Sequence, residues 1–409
     1  MRTGTGRVFA VLFLINVLNI YDRQVLGAIL EPLRYEFRLT DRPLGALATV
    51  FIVVYAVAGL PLGRFADTWS RKRLLALGLT AWCSLTAAGA LATSYAILFA
   101  TRIGVGIGEA VCAPAATSWL GDLVPAHRRA RALAGFMMAV PVGVMLSFAI
   151  SGPVAQAYGW RTAMVIAAAP ALILIPALLS LDQPQPKARR QSEPAPLRTI
   201  LRIPALWWIA ASGAIVNFIL YSFSTFISPF LSRFHGLSVA QAGVWSGLGS
   251  GAAGILGAAV AAWFGDRRIG RGRILLAAVA ALAAAPSAAI ALAFPPGRTT
   301  TAIALLMLAY GLLQTYYGLV YAAIQDLVPP HLRGLAMAAY LMAMYLCGGA
   351  LGPYATGALS DWLAGPHPTE TARAAGLHQA MFVIPTLSLA LAAVLWIAAR
   401  AMPRESRAA

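Results

Sequence analysis

Long apolar runs alternate with short polar stretches from one end of the chain to the other. The runs are roughly 20 residues or longer, and at 1.5 Å of rise per residue each is long enough to cross about 30 Å of hydrocarbon as a helix. Twelve spans fit, near residues 8–33, 43–66, 73–93, 95–118, 130–156 and 161–181, then 203–232, 239–264, 274–294, 300–323, 334–362 and 379–400. The stretch 182–202 is rich in Pro, Gln, Lys and Arg and reads as a linker, dividing the chain into lobes at 1–181 and 203–409. Residues 364–378 read as the longest extracellular loop, with no counterpart in the first half.

The halves are related. Asp122-Leu123-Val124-Pro125 returns half a chain later as Asp326-Leu327-Val328-Pro329, each copy lying between two apolar runs. A repeat of this length decides architecture before local detail does. It predicts an all-α membrane protein with twelve transmembrane helices in two pseudo-symmetric six-helix lobes. Such a machine moves a solute by rocking one half against the other.

Composition agrees with the pattern. Sixty per cent of residues are hydrophobic and 11% charged, about half the charge of a soluble domain. The net charge of +17 suggests nucleic acid until its placement is considered. Most of the 31 basic residues, Arg71, Lys72, Arg73, Arg128, Arg129 and Arg273 among them, fall in loops on one side. That bias places both termini in the cytoplasm and explains the charge as topology, not nucleic-acid binding. The cationic loops also suit anionic lipid headgroups. Cys83, Cys112 and Cys347 lie within apolar runs and read as small core residues. The first run exceeds signal-peptide length and reads as a retained helix. A bacterial inner membrane is the expected home.

Asp22, Arg102 and Glu109 are the sharpest candidates for chemistry. An ionised side chain at membrane depth is costly and normally faces a cavity or a partner. Counting rise from the expected helix ends puts Asp22 on span 1 and Arg102 on span 4 at one level, roughly 10 Å below the outer surface. Glu109 is two turns deeper on the same face of span 4. A base favours ionised carboxylates and desolvation favours neutral ones, so a carboxyl near that balance can take up and release a proton. The expectation is proton coupling at Asp22 and Glu109 with Arg102 as switch partner, set against a structural ion pair between spans 1 and 4. For Arg23, about 100° round the helix from Asp22, two readings stay open: outward snorkelling, or a place beside Asn19 and Tyr21 in the cavity. Glu31 reads as a solvated rim residue. The second lobe has Leu306 and Leu313 where the repeat aligns Arg102 and Glu109. It is expected to be mainly a substrate wall that includes Tyr221, with Asn217, Tyr316 and Tyr317 leading because they bring polar groups to mid-membrane.

Other chemistries find no support. Gly104-x-Gly106-x-Gly108 follows no strand and has the wrong spacing for a dinucleotide fingerprint. The five histidines lie in loops or at span ends and form no metal set. No nucleophile elbow, metalloprotease helix or ATP-binding loop appears, so the reading is a non-enzyme with no cofactor, driven by a gradient.

The loop after span 2 reads Gly63-Arg64-Phe65-Ala66-Asp67-Thr68-Trp69-Ser70-Arg71-Lys72-Arg73. Gly63, Asp67, Arg71 and Lys72 resemble the main motif of the major facilitator superfamily, while Thr68 and Ser70 depart from it. Arg102-x-x-x-Gly106-x-Gly108 and Gly159-Trp160-Arg161 are similar to further motifs of that superfamily. The resemblance implies the major facilitator fold and a cytoplasmic latch in which Asp67 sits near the start of span 11 and Arg71 pairs with Asp122. Asn19-Ile20-Tyr21-Asp22-Arg23-Gln24 with Arg102-Ile103-Gly104-Val105-Gly106-Ile107-Gly108-Glu109 more narrowly resembles the Spinster subfamily. That implies lysophospholipid or phosphorylated sphingoid substrates and coupling residues at Asp22, Arg102 and Glu109. An Asn-Tyr-x-Asp-Arg opening also occurs in organic-anion members, so small organic anions or drugs remain an alternative. So do a gradient-independent facilitator or scramblase and a non-transporting sensor. Expected partners are an amphipathic or anionic small molecule, protons and membrane lipids, with the monomer as the working unit.

Overall fold

The computed structural model describes residues 3–182, 203–329 and 332–402. The side chains of Thr3, Leu60, Arg64, Ala66, Asp67, Thr68, Ala126, His127 and Ala130 lie outside the described set, as do residues 183–202, most of the expected linker. The described residues form helices and no strands. Within hydrocarbon a helix satisfies its backbone internally, so apolar runs of this length have little alternative.

The chain resolves into two compact units, one of residues 1–189, 227–232 and 237–251, the other of 190–226, 233–236 and 252–409. Its first helices are α1 (Thr3–Phe37), α2 (Asp41–Thr68), α3 (Arg71–Gly89) and α4 (Tyr95–Glu109), the last continuing after a break as α5 (Cys112–Leu123). Then come α6 (Ala126–Met137), α7 (Ala139–Tyr158), α8 (Trp160–Ala168) and α9 (Ala171–Leu179). The later helices are α10 (Pro204–Arg233), α11 (Val239–Gly265), α12 (Arg271–Ala293), α13 (Thr299–Leu327), α14 (Arg333–Ala343), α15 (Leu351–Ala364), α16 (Glu370–Ala380) and α17 (Val383–Ala401). A π-helical segment, Met344–Gly349, joins α14 to α15. Among the described residues eleven helices are long and apolar enough to cross a membrane. The remaining expected span is α3, whose first turn is Arg71-Lys72-Arg73.

Local chemistry explains the boundaries. Ser70 and Ser94 cap α3 and α4, their hydroxyls accepting from the backbone N–H of Arg73 and Ile97 at 3.4 Å. Gly159, at φ +84°, breaks the chain between α7 and α8 in a conformation that favours glycine. The expected loop at 364–378 is mostly helix: Thr369 caps α16 by accepting from Ala372 N–H at 3.2 Å. Glu370 in that first turn suits the positive end of the helix. The polar composition that suggested a loop is the composition of a capped helix start.

In the first unit, α1 packs against α7, α8 and α5, and α4 against α3 and α2. Small residues set the spacing: a Cβ on Gly143 would stand 2.7 Å from Cβ of Ile20, and one on Gly108 only 3.0 Å from the backbone of Trp82. Trp82, Trp119, Phe136 and Phe148 fill the core. In the second unit α12 packs against α13 and α17. There α10 meets the α14–α15 run through Gly213, Gly348 and Gly352, and a Cβ on Gly348 would run into the Ala214 carbonyl oxygen. Cys83 and Cys112 are buried, whereas Cys347, expected in the core, is exposed. Glu31 is a second departure. It is buried, with its carboxylate 3.2 Å from Arg34 Nε, instead of solvated at a rim.

Candidate functional site

The first unit's interior holds Asp22, Arg23, Arg102 and Glu109 together. Asp22 on α1 is 1% exposed, and its Oδ2 accepts a 2.7 Å hydrogen bond from the Thr86 hydroxyl of α3. The same hydroxyl accepts from Arg102 Nη2 at 3.3 Å. Arg102 therefore reaches Asp22 through Thr86, with no direct ion pair between them. Nor does Arg102 hold Glu109. Glu109, fully buried, accepts from Arg23 Nη2 at 3.3 Å and Nε at 3.4 Å.

Arg23 turns inward. Its guanidinium lies over the rings of Tyr55 and Phe51, 4.4 and 5.2 Å from their centroids, and also donates to Asn19 Oδ1 at 3.4 Å. The outward-snorkelling reading is set aside. A position 100° from Asp22 faces α2 and α4, not lipid. The Asp22 and Glu109 carboxyls lie near one another. Asp22 Oδ1 and Glu109 Oε1 each lack a donor, as does Arg102 Nε an acceptor. Two adjacent carboxyls with one donor-free oxygen apiece can share a proton between them.

The other candidates fall into separate places. Tyr21 faces α7, its hydroxyl 2.9 Å from Ser151 Oγ and its carbonyl accepting from Ser147. Arg71, at the start of α3, pairs with Asp122 at the end of α5. Lys72 donates to the carbonyls of Leu179 at 3.1 Å and Leu181 at 2.8 Å. Gly63 lies in α2 with open space where a Cβ would stand. The Asp67 side chain lies outside the described set. The repeat supplies a pair that the sequence reading missed: Arg273, in the first turn of α12, bonds Asp326 at 2.7 Å, and the Gly270 N–H adds a second bond at 2.8 Å. The matching Asp-Leu-Val-Pro segments were the available signal.

The second unit's candidates form a neutral network. Asn217 accepts from the Tyr317 hydroxyl at 3.3 Å and donates to the Gly213 carbonyl at 3.1 Å. The Tyr316 hydroxyl is 2.7 Å from Ser212 and accepts from Tyr340 at 3.0 Å. Tyr221 meets Tyr345 edge to face at 6.4 Å, and Tyr317 meets Tyr321 likewise at 5.7 Å. Thr86 is the other residue that sequence reasoning missed. A hydroxyl on an apolar helix gives no signal of its own. Among the described residues no His, Cys, Asp and Glu side chains are grouped so as to hold a metal ion.

Comparison with known proteins bears on this geometry. Residues 12–353 match the model of the Major Facilitator Superfamily. An MFS-type efflux pump of Mycolicibacterium smegmatis is 32% identical over 99% of this chain and 95% of its own length. Protein spinster homolog 3 of Danio rerio is 26% identical over 88% of this chain and 78% of its own. A solved bacterial homolog of the human lysosomal transporter Spinster, in an inward-facing and occupied conformation, superposes with a TM-score of 0.89 at 25% identity, covering both chains fully. The chain thus belongs to the Major Facilitator Superfamily and is a multi-pass membrane transporter.

Proposed function

We propose that this transporter is proton-coupled and carries amphipathic lipids such as lysophospholipids or sphingoid phosphates by alternating access. The observation that carries the coupling is the adjacency of Asp22 and Glu109, each buried, each with an oxygen that no donor occupies. Two acids and two guanidiniums make the cluster neutral when both acids are ionised. A proton entering from a wetted cavity leaves it with a net positive charge, which favours an anionic headgroup nearby. Release of that proton on the other face then weakens the hold on the headgroup. Spinster likeness in sequence and in solved structure supports the lipid class. The neutral, tyrosine-rich interior of the second unit suits an alkyl chain with a polar end.

In this reading the membrane is a bacterial inner membrane with both termini in the cytoplasm, consistent with Arg71, Lys72 and Arg273 lying at helix starts of the basic loops. Arg71 and Asp122 form a cytoplasmic latch, access alternates between the two faces of the membrane, and one chain acts alone. The experiment is uptake of fluorescent lysophosphatidylcholine into proteoliposomes with and without an imposed pH gradient. Coupled transport gives gradient-dependent accumulation that Asp22→Asn and Glu109→Gln each abolish. Equilibration without accumulation would mark a facilitator, and no movement a sensor. A second reading, export of drug-like organic compounds, is favoured by the efflux pump likeness at 32% identity. Gradient-driven movement of a cationic dye in the same vesicles, with none of the lipid, would select it.

A further inference from the structure

Thr86 occupies a position that neither charge counting nor the superfamily's motifs mark. Its side chain is fully buried, and its hydroxyl lies between the Arg102 guanidinium and the Asp22 carboxylate. Arginine can only donate, so the hydroxyl accepts on the Arg102 side and directs its own proton elsewhere. Asp22 Oδ2, at 2.7 Å, is where that proton goes. We propose that Thr86 is the positioning residue of the coupling cluster: it transmits the pull of Arg102 to Asp22 while keeping the two charges from pairing directly. The proposal rests on the coupling role assigned above to Asp22.

The surroundings fit this task. Gly89, one turn after Thr86, leaves room for the guanidinium: a Cβ there would stand 3.1 Å from Thr101 Oγ1 and 3.6 Å from Arg102 Nη2. A direct Arg–Asp pair in a dry interior holds its acid ionised, and breaking it is costly. With a neutral hydroxyl between them, Asp22 can gain a proton at Oδ1 while the Arg102–Thr86–Oδ2 chain stays in place. The other titratable groups near Asp22 are Tyr21 and Arg23 on its own helix, Cys83 on α3 and Glu109 on α4. Tyr55 on α2 and Cys112 on α5 stand beside Arg23 and Glu109. Charges nearer the helix ends are held by partners of their own: Asp122 by Arg71, Glu36 by Arg161 and Glu31 by Arg34. Helix α9 brings no titratable residue.

The test follows the infrared carbonyl band of protonated carboxyls during a pH titration of the full chain in liposomes, which needs no substrate. The component lost in Asp22→Asn is assigned to Asp22. Thr86→Val keeps the shape and removes the hydroxyl, so the carboxylate loses a donor and its link to Arg102. The pH at which that component is half developed then rises by about one unit or more. Thr86→Ala moves it the same way and cannot clash, while Thr86→Ser restores the wild-type position. Arg102→Gln shifts the component in the wild-type background and shifts it less in the Thr86→Val background, where only the through-space part of the charge effect is left. An unchanged position in both Thr86→Val and Thr86→Ala overturns the proposal. So does a shift in Thr86→Ser as large as in Thr86→Val, or no component lost in Asp22→Asn. Vesicle transport that ignores the pH gradient, alongside a band that shifts as expected, overturns the coupling reading and leaves the link standing.

Discussion

The two units have the same kind of helical framework and fill it differently. The first carries Asp22, Arg23, Arg102 and Glu109 in its interior; the second carries Tyr316, Tyr317, Tyr340, Ser212 and Asn217 joined by hydrogen bonds. Buried charges are expensive unless compensated, and their balance changes with every proton. Buried phenols and amides cost less, and their hydrogen bonds do not depend on pH near neutrality. The difference separates an interior built around buried charge from one built around neutral hydrogen bonds.

The largest test of that contrast is Arg23→Met. It leaves Glu109 buried without the guanidinium, and breaking such a pair costs about 3–5 kcal/mol. Thermal unfolding in lipid nanodiscs should show a large drop, mostly recovered when Glu109→Gln is added. A double variant as unstable as the single one would mean that Arg23 matters through its ring contacts with Tyr55 and Phe51. Next in size is Tyr316→Phe, which removes the hydroxyl linking Ser212 to Tyr340. Its cost should be about 1 kcal/mol and equal at pH 6 and pH 8. A pH-dependent cost would break the contrast between the units. Smaller still is Glu36→Gln. Glu36 meets Arg161 at 2.6 Å, but both side chains are more than a third exposed, so the pair is worth roughly 0.2–1 kcal/mol and should fade in high salt. That sharpens the rule: within one unit, a charge matters according to its burial.

The smallest effect belongs to His235, between α10 and α11. Burial holds its pKa below the ordinary value of 6.5, and nearby His378 adds to the lowering. The unfolded chain therefore binds a proton first as pH falls. The stability contributed by neutral His235 is complete above about pH 6.5 and is lost as pH drops toward the folded value. His235→Gln should flatten the slope of melting temperature against pH below about pH 6.5, the smallest change of this set.

Much of this was legible in the chain. Apolar run lengths gave the spans, because run length follows from the solvent that the helices face, and the repeated Asp-Leu-Val-Pro segment marked two acids, Asp122 and Asp326, that each hold an arginine. Helical rise placed Asp22 and Arg102 at one level and made them a candidate pair. Rise does not give the direction in which a helix faces, and that is where the reading fell short. Arg23 turned toward Glu109 because α2 and α4 stand on that side, which no count along α1 reveals. Thr86 was invisible for a related reason: its hydroxyl matters through what two other helices bring to it. Glu31 was read as solvated from its distance along α1, and its burial comes from packing around it.

The short π-helical stretch before α15 has a consequence for the second unit. Ala350 N–H bonds the Tyr345 carbonyl five residues back, so this turn holds one residue more than an α-helical turn. Every side chain of α15 is thereby shifted by roughly 100° of helix face relative to the continuation of an unbroken α14. Gly348 inside the widened turn and Gly352 just past it meet α10 at the Ala214 and Phe218 carbonyls. Deleting one amino acid there would rotate Gly352 away from α10 and put a larger side chain in its place, a bigger disturbance than exchanging any one residue on that face.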